Sequence, residues 1–322
     1  MQNYLIEKGI QKNSAQTYSC YYSKLIKNVF DNVEPENMVS CENIDKVINY
    51  VQNSDFNLNT KSLHVRSWKK IAEIKGHQGN YQKFDSPIRT FANSTIYKAP
   101  TKEELENRIE FDYVIKMREE YKKKLTNTFT VNDLYYLLCS LYTYIPPLRS
   151  EDYYSAVIKT DTTDIEKENY YDLEKKQLVL NQYKTVKTYG QRIVNIPEVL
   201  AEIIENFHEK SKSHYLICTS TGLKLMSQSF NGTFKRCLKK EVSSSMLRKC
   251  YISDKIDEGM TAEERQKDAK VMGHSLTVQQ LAYSKFSSVL HPQDDDLNSL
   301  IRRSKQLEKQ MKEVNDKILK II

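Results

Sequence analysis

Apolar residues recur at three- and four-residue intervals through most of this chain, and β-rich runs are confined to one short region. That pattern predicts a mainly α protein with a small β-hairpin, giving an α+β arrangement in its second part. To about residue 75 the spacing predicts short helices. Tyr18, Tyr21, Tyr22, Leu25, Ile26 and Val29 form one face, with Ser14 placed to cap it. Ile44, Val47, Ile48 and Val51 form a second. A third helix starts near Asn59 and Thr60 and carries Leu63, Val65, Trp68, Ile71, Ala72 and Ile74, so Trp68 is expected in the core.

Residues 76–100 lose periodicity and contain Pro87 and Pro100, which predicts a linker. Helix is expected again from 102 to about 124 and from 131 to 144, where Leu134, Leu137, Leu138 and Leu141 share a face. Pro146 and Pro147 must interrupt it, because proline lacks the amide donor and clashes with the preceding turn. A helix from about 150 to 157 should follow. QLVLNQYKTV and QRIVNIP flank KTYG and predict a hairpin over 177–196, with Gly190 in the turn and Lys184 near the tip. Further helices are expected at 198–209, 227–240, 244–257 and 262–271, with a short apolar run at 215–218. Over 297–322 the positions Leu297, Leu300, Leu307, Met311, Val314, Ile318 and Ile321 give an amphipathic heptad seam, interrupted by Ser304. The organisation read from this is 1–97, 98–292 and a tail, 293–322.

Composition narrows the classes. With 49 Lys+Arg against 42 Asp+Glu, the formal charge of +7 permits an anionic partner without establishing one. No apolar run approaches the ~20 residues of a membrane span, and the start lacks the basic-then-apolar pattern of a secretory signal. Six scattered cysteines, without C-x-x-C, suggest free thiols in a reducing, intracellular compartment and neither a disulfide frame nor a zinc site. Eight glycines and seven prolines argue against collagen-like and phosphate-loop architectures. Tyrosine, at 22 of 322, is the compositional oddity.

The third helix carries a basic stripe, Lys61, Arg66, Lys69, Lys70 and Lys75, for which a solvated face is the plain explanation. The chemically informative stretch is Met272-Gly273-His274-Ser275, with Tyr283 nine residues after the histidine. Upstream stand Pro146-Pro147-Leu148-Arg149-Ser150-Glu151-Asp152, then Lys184 in YKT, then Ser245-Met246-Leu247-Arg248. Each has an ordinary explanation: an exposed arginine or lysine, an Arg248–Asp254 pair, a satisfied buried histidine.

Together, in this order, these residues resemble the tyrosine recombinase (phage-integrase-like) family over roughly 130–290, and more loosely over the N-terminal helices. Arg149 falls on the family's first arginine, Lys184 on its hairpin lysine (with Lys187 competing), and Arg248 on its second arginine. His274 falls in its L-G-H-S box and Tyr283 on its nucleophile. Ser245 departs from the family, standing where H-x-x-R has histidine; its hydroxyl can donate a hydrogen bond but carries no charge. The resemblance implies an N-terminal core-binding domain and a catalytic domain that clamp double-stranded DNA, and a homo-tetramer on DNA with exchange of the C-terminal helix. It implies a site-specific recombinase, an integrase of a virus or mobile element, working in a nucleus, viral factory or bacterial cytoplasm. Relaxing topoisomerase, telomere resolvase and a catalytically impaired DNA-binding protein are the alternatives.

The residue types suit that reaction on their own terms. Attack on a phosphodiester builds charge on two non-bridging oxygens, which the guanidinium forks of Arg149 and Arg248 can meet bidentately. Tyr283 would form a covalent 3′-phosphotyrosyl ester that conserves bond energy for rejoining, with no metal or cofactor expected. Lys184 would protonate the departing 5′-hydroxyl, and His274 would bond a phosphate oxygen or help move the phenolic proton. Glu151 or Asp152 is expected behind Arg149 as an orienting carboxylate, while Lys61, Arg66, Lys69, Lys70 and Lys187 are the candidate DNA contacts.

Overall fold

The computed structural model describes residues 1–96 and 100–287, together with Ser304 and Met311. The chain divides into two compact units, Met1–Lys98 and Ala99–Ile322. The first unit is helical: α1 (Gln2–Glu7), α2 (Lys12–Val29), α3 (Cys41–Asn53), α4 (Leu58–Lys75), then a 3₁₀ turn, Tyr81–Phe84, running into α5 (Asp85–Ile96). Helix α4 is its centre, burying Val65, Trp68, Ile71 and Ala72 completely. Trp68 lies in the core as its helix face predicts; its Nε1 donates to the Met38 carbonyl at 2.9 Å, and its ring stacks on Phe30. Side-chain oxygens of Ser40 and Asn57 accept from Asn43 N and Thr60 N, satisfying free amides at the starts of α3 and α4.

Two local expectations are corrected here. Helix α2 starts at Lys12, because Ala15 is fully buried and its amide bonds the Gln11 carbonyl at 2.8 Å; Ser14 therefore lies inside the first turn and caps nothing. Most of the expected linker is helix: Phe84 and Phe91 insert into the unit's core, and Pro87 sits in the first turn of α5, where no intrahelical donor is needed.

The second unit sets helices around a small sheet. In chain order it runs α6 (Lys102–Glu106), α7 (Phe111–Lys122), α8 (Val131–Thr143), α9 (Ser150–Tyr154), β1 (Val157–Ile158), β2 (Tyr170–Asp172) and β3 (Gln177–Leu180). Then follow α10 (Val186–Tyr189), β4 (Arg192–Asn195), α11 (Glu198–Ser211), α12 (Ser227–Leu238), α13 (Ser244–Asp257), α14 (Ala262–Met272) and α15 (Leu276–Val278), closed by a π-helical turn, Gln279–Tyr283. The sheet order is β1-β2-β3-β4, with β1 and β2 parallel and the other pairs antiparallel. The mainly α character with a small β-sheet agrees with the sequence pattern.

Details differ where local constraints win. The helix expected over 102–124 breaks into α6 and α7, because Arg108 Nη2 and the Phe111 amide both converge on the Asp254 carboxylate, at 3.0 and 2.8 Å. The helix expected to 157 ends at Tyr154, and Val157 and Ile158 instead pair with Tyr170 and Tyr171. Strands β3 and β4 form the expected hairpin, in register Leu178↔Val194 and Leu180↔Arg192, but their connection contains α10, so Lys184 lies between elements. All six cysteines are free. No helix among the described residues is long and apolar enough to cross a membrane. The heptad seam of 297–322 lies outside the described residues, apart from Ser304 and Met311.

Candidate active site

Four of the singled-out residues meet in the second unit. Arg149 stands directly after the proline break in extended conformation, at the N-cap of α9. The break is pinned from inside: the Tyr153 hydroxyl accepts from Leu148 N at 3.2 Å and donates to the Leu141 carbonyl at 3.1 Å. Arg248 lies mid-way along α13, which Ser243 caps by accepting from Met246 N. Helix α14 begins with a reciprocal Thr261–Glu264 capping box and stops at Gly273 in the left-handed region (φ 68°), which turns the chain so that His274 follows.

The contacts are short. Arg248 Nη2 donates to the Met272 carbonyl at 3.0 Å, and Arg149 Nη2 reaches the Gly273 carbonyl at 3.4 Å. The Tyr283 ring is stacked against His274, with centroids 4.8 Å apart and planes 21° apart, and the Arg248 guanidinium lies 4.9 Å from that ring. Tyr283 ends the π-helical turn, a feature frequent at functional sites. The Ser253 hydroxyl on α13 donates to the Tyr283 carbonyl (3.3 Å) and accepts from Phe286 N (3.0 Å), stapling the segment down.

What sets this cluster apart is unspent hydrogen-bonding capacity. Arg149 Nη1, Arg248 Nε and both ring nitrogens of His274 are buried without a partner. Such groups are costly unless something supplies the missing bonds. The carboxylate nearest in sequence to Arg248, Asp254, is taken by Arg108 and Phe111, so it does not neutralise Arg248. Burial, and next the Arg248 charge, lower the His274 pKa to about 3, so the imidazole is neutral at pH 7. Burial also lowers Arg248 from its ordinary value. A neutral imidazole offers one donor and one acceptor, and the guanidinium donors beside it suit a phosphate or carboxylate.

The remaining expected residues are placed differently. Lys184 is exposed on the β3–β4 connection, anchored by its neighbour Thr185, whose hydroxyl donates to the Gly273 carbonyl at 3.1 Å. Lys187 is exposed on α10. Ser245 is exposed in the first turn of α13, three residues before Arg248. Glu151 is exposed. Asp152 is fully buried, but its Oδ2 accepts from the Arg149 backbone amide (3.2 Å) and from Arg192 Nη2 (2.7 Å). The expected carboxylate behind Arg149 therefore fixes that residue's main chain and a different guanidinium.

Arg192 escaped the sequence reading. On β4 it is in phase with Val194, on the buried side of a strand whose alternate residues Ile193 and Asn195 are exposed. A charge at a core-phase position was the available signal. Arg192, Gly273 and His274 border an open cavity of about 860 Å³.

In the first unit, the basic stripe is largely engaged. Lys69 pairs with Asp85 (2.6 Å), Lys70 with Glu73 (3.1 Å) and Lys75 with Glu34, and Lys61 Nζ donates to the Gln52 carbonyl. Arg66 is exposed. Scanned against protein-family models and searched against curated proteins, the chain matches none.

Proposed function

We propose that this chain is a site-specific DNA recombinase of the tyrosine type, an integrase that cleaves and rejoins strands through a 3′-phosphotyrosyl intermediate. The observation that carries the reading is a phenol ring in contact with a buried guanidinium, whose Nε has no partner, and a neutral imidazole, whose ring nitrogens have none. Arg149 and Arg248 hold the non-bridging oxygens of the scissile phosphate and neutralise the charge that builds on them. His274 donates one N–H to the same phosphate. Tyr283 attacks phosphorus and gives its phenolic proton to water as the ester forms, while the P–O bond to the 5′-oxygen breaks and that oxygen leaves with a proton from Lys184. Lys184 is preferred to Lys187 because Thr185 ties its backbone to Gly273, one residue from the site.

Double-stranded DNA is the partner, met by the first unit through Arg66 and Lys61. Lys69 and Lys70 join them, because ion pairs at the surface, worth about 0–1 kcal/mol, can be exchanged for phosphate contacts. The working assembly is a tetramer on DNA that exchanges C-terminal helices, inside a reducing, DNA-containing compartment.

The test uses the full chain. A binding site is first selected from random duplex, and a nicked version of it is then incubated with the protein. A protease-sensitive, denaturant-resistant DNA adduct is expected, and Tyr283→Phe should reduce it at least ~10³-fold. An adduct that persists in Tyr283→Phe would sink the assignment. Selective binding without any adduct would favour a DNA-binding protein that has lost cleavage, the reading for which the uncharged, exposed Ser245 speaks. Plasmid relaxation without recombinant products would favour a topoisomerase.

A further inference from the structure

We propose that Arg192 is a third guanidinium of the phosphate site, holding a non-bridging oxygen beside Arg149; this rests on the strand-cleavage reading above. The side chain is 8% exposed, so its charge has been taken out of water and must be compensated. Asp152 compensates it in part, accepting from Nη2 at 2.7 Å, and the guanidinium lies over the Tyr183 ring at 4.5 Å. Nη1 and Nε are left buried without a partner. A purely structural ion pair would consume more of the fork; here most of it is kept open.

The open end points to Arg149. A Cβ on Gly273 would stand 1.8 Å from Arg192 Nη1 and 3.5 Å from Arg149 Nη1. The two partnerless Nη1 atoms therefore flank one backbone position, and a side chain there would push the Arg192 guanidinium out of its place. His274, the next residue, borders the same cavity as Arg192. Charge balance agrees. Arg149, Arg192 and Arg248 bring three positive charges and Asp152 one negative, so 3 − 1 leaves two, with His274 neutral at pH 7. A phosphodiester under attack carries two negative charges across its non-bridging oxygens, which these buried charges match, while the exposed Lys184 faces the departing oxygen.

The experiment compares the full-length wild type with Arg192→Lys and with the double variant Arg192→Gln/Asp152→Asn, which removes both members of the buried pair together and guards against misfolding. Inorganic phosphate is titrated into each protein. Adduct formation is then timed on the selected nicked duplex with an ordinary phosphodiester, and on one with a methylphosphonate, in which a neutral methyl replaces one charged oxygen. The expected result is at least tenfold weaker phosphate binding in both variants. Adduct formation should be at least a hundredfold slower on the phosphodiester, and that deficit should shrink tenfold or more on the methylphosphonate. Unchanged phosphate affinity, or an equal deficit on both linkages, overturns the proposal. Should the wild type form no adduct, the cleavage reading fails alone, and the phosphate titration still decides whether Arg192 belongs to the anion site.

Discussion

Arg248 and Lys249 are neighbours on α13, yet their side chains enter opposite electrostatic settings. Lys249 and Lys285, which lies two residues past Tyr283, both bind Glu104 of α6, at 2.7 and 2.6 Å. The same carboxylate also accepts from Thr101 N at 3.0 Å. Burial works to raise the Glu104 pKa, but hydrogen bonds from the two lysines prevail and hold it at about 2. One residue back, Arg248 faces Tyr283 and His274 with no carboxylate of its own. The lysine cluster is closed by its own chain and fixes position; the arginine cluster keeps buried donors without partners, which is what the proposed phosphate site requires. On that reading, adjacent residues on one helix separate structural from chemical use of positive charge.

The sharpest way to break this contrast is to remove charge from each side. Arg248→Met, close in length and uncharged, should slow adduct formation by about 10²–10³-fold. It should leave the melting temperature unchanged or higher, because a buried, uncompensated cation is lost. A lower melting temperature together with normal adduct formation would reverse the assignment.

The second test uses acid. His274 has a folded pKa of about 3 against an ordinary 6.5, so between those values the unfolded chain binds more protons. Stability from this residue is complete above about pH 6.5 and is lost as pH falls toward 3, with a slope of at most about 1.4 kcal/mol per pH unit. His64, also lowered by burial, acts in the same sense, so the measurement is the difference between wild type and His274→Asn in urea unfolding across pH 7 to 4. The variant should show the shallower pH dependence. Glu104 enters later: its contribution is full above about 4.5 and fades toward 2.

The smallest effect is expected on the closed side. Glu104→Gln leaves two lysines facing a neutral amide and should cost about 1 kcal/mol of stability, read as a lower urea midpoint. Phosphate binding should be unaffected. If phosphate binding weakened as much as in Arg248→Met, the two clusters would be one functional unit.

How much of this was legible follows from what periodicity can carry. Helix α8 was readable because Leu134, Leu137, Leu138 and Leu141 share one face of a 3.6-residue repeat. Arg149, Arg248, His274 and Tyr283 were readable from order and spacing, and the structure brings them together. Strands β1 and β2, of two and three residues, are too short to show a repeat. Segment 81–96 looked like a linker because Gly76, Gly79, Pro87 and many polar residues masked a helical spacing, Tyr81, Phe84, Ile88 and Phe91, that packs on the core. Arg192 was missed for a different reason: its core-phase position on β4 was a signal, but the Asp152 that makes its burial tolerable lies forty residues upstream, and no local pattern encodes that partner.

The Gly273 carbonyl receives Arg149 Nη2 and the Thr185 hydroxyl, one for each of its two lone pairs. Such a fully occupied acceptor gears the two together. The connection bearing Lys184 cannot swing outward without freeing a lone pair beside Arg149, and Arg149 cannot retract without loosening the connection. If Lys184 is the proton donor and Arg149 the phosphate clamp, as proposed, a single peptide oxygen couples them, and a duplex that fits one but not the other would leave both out of register.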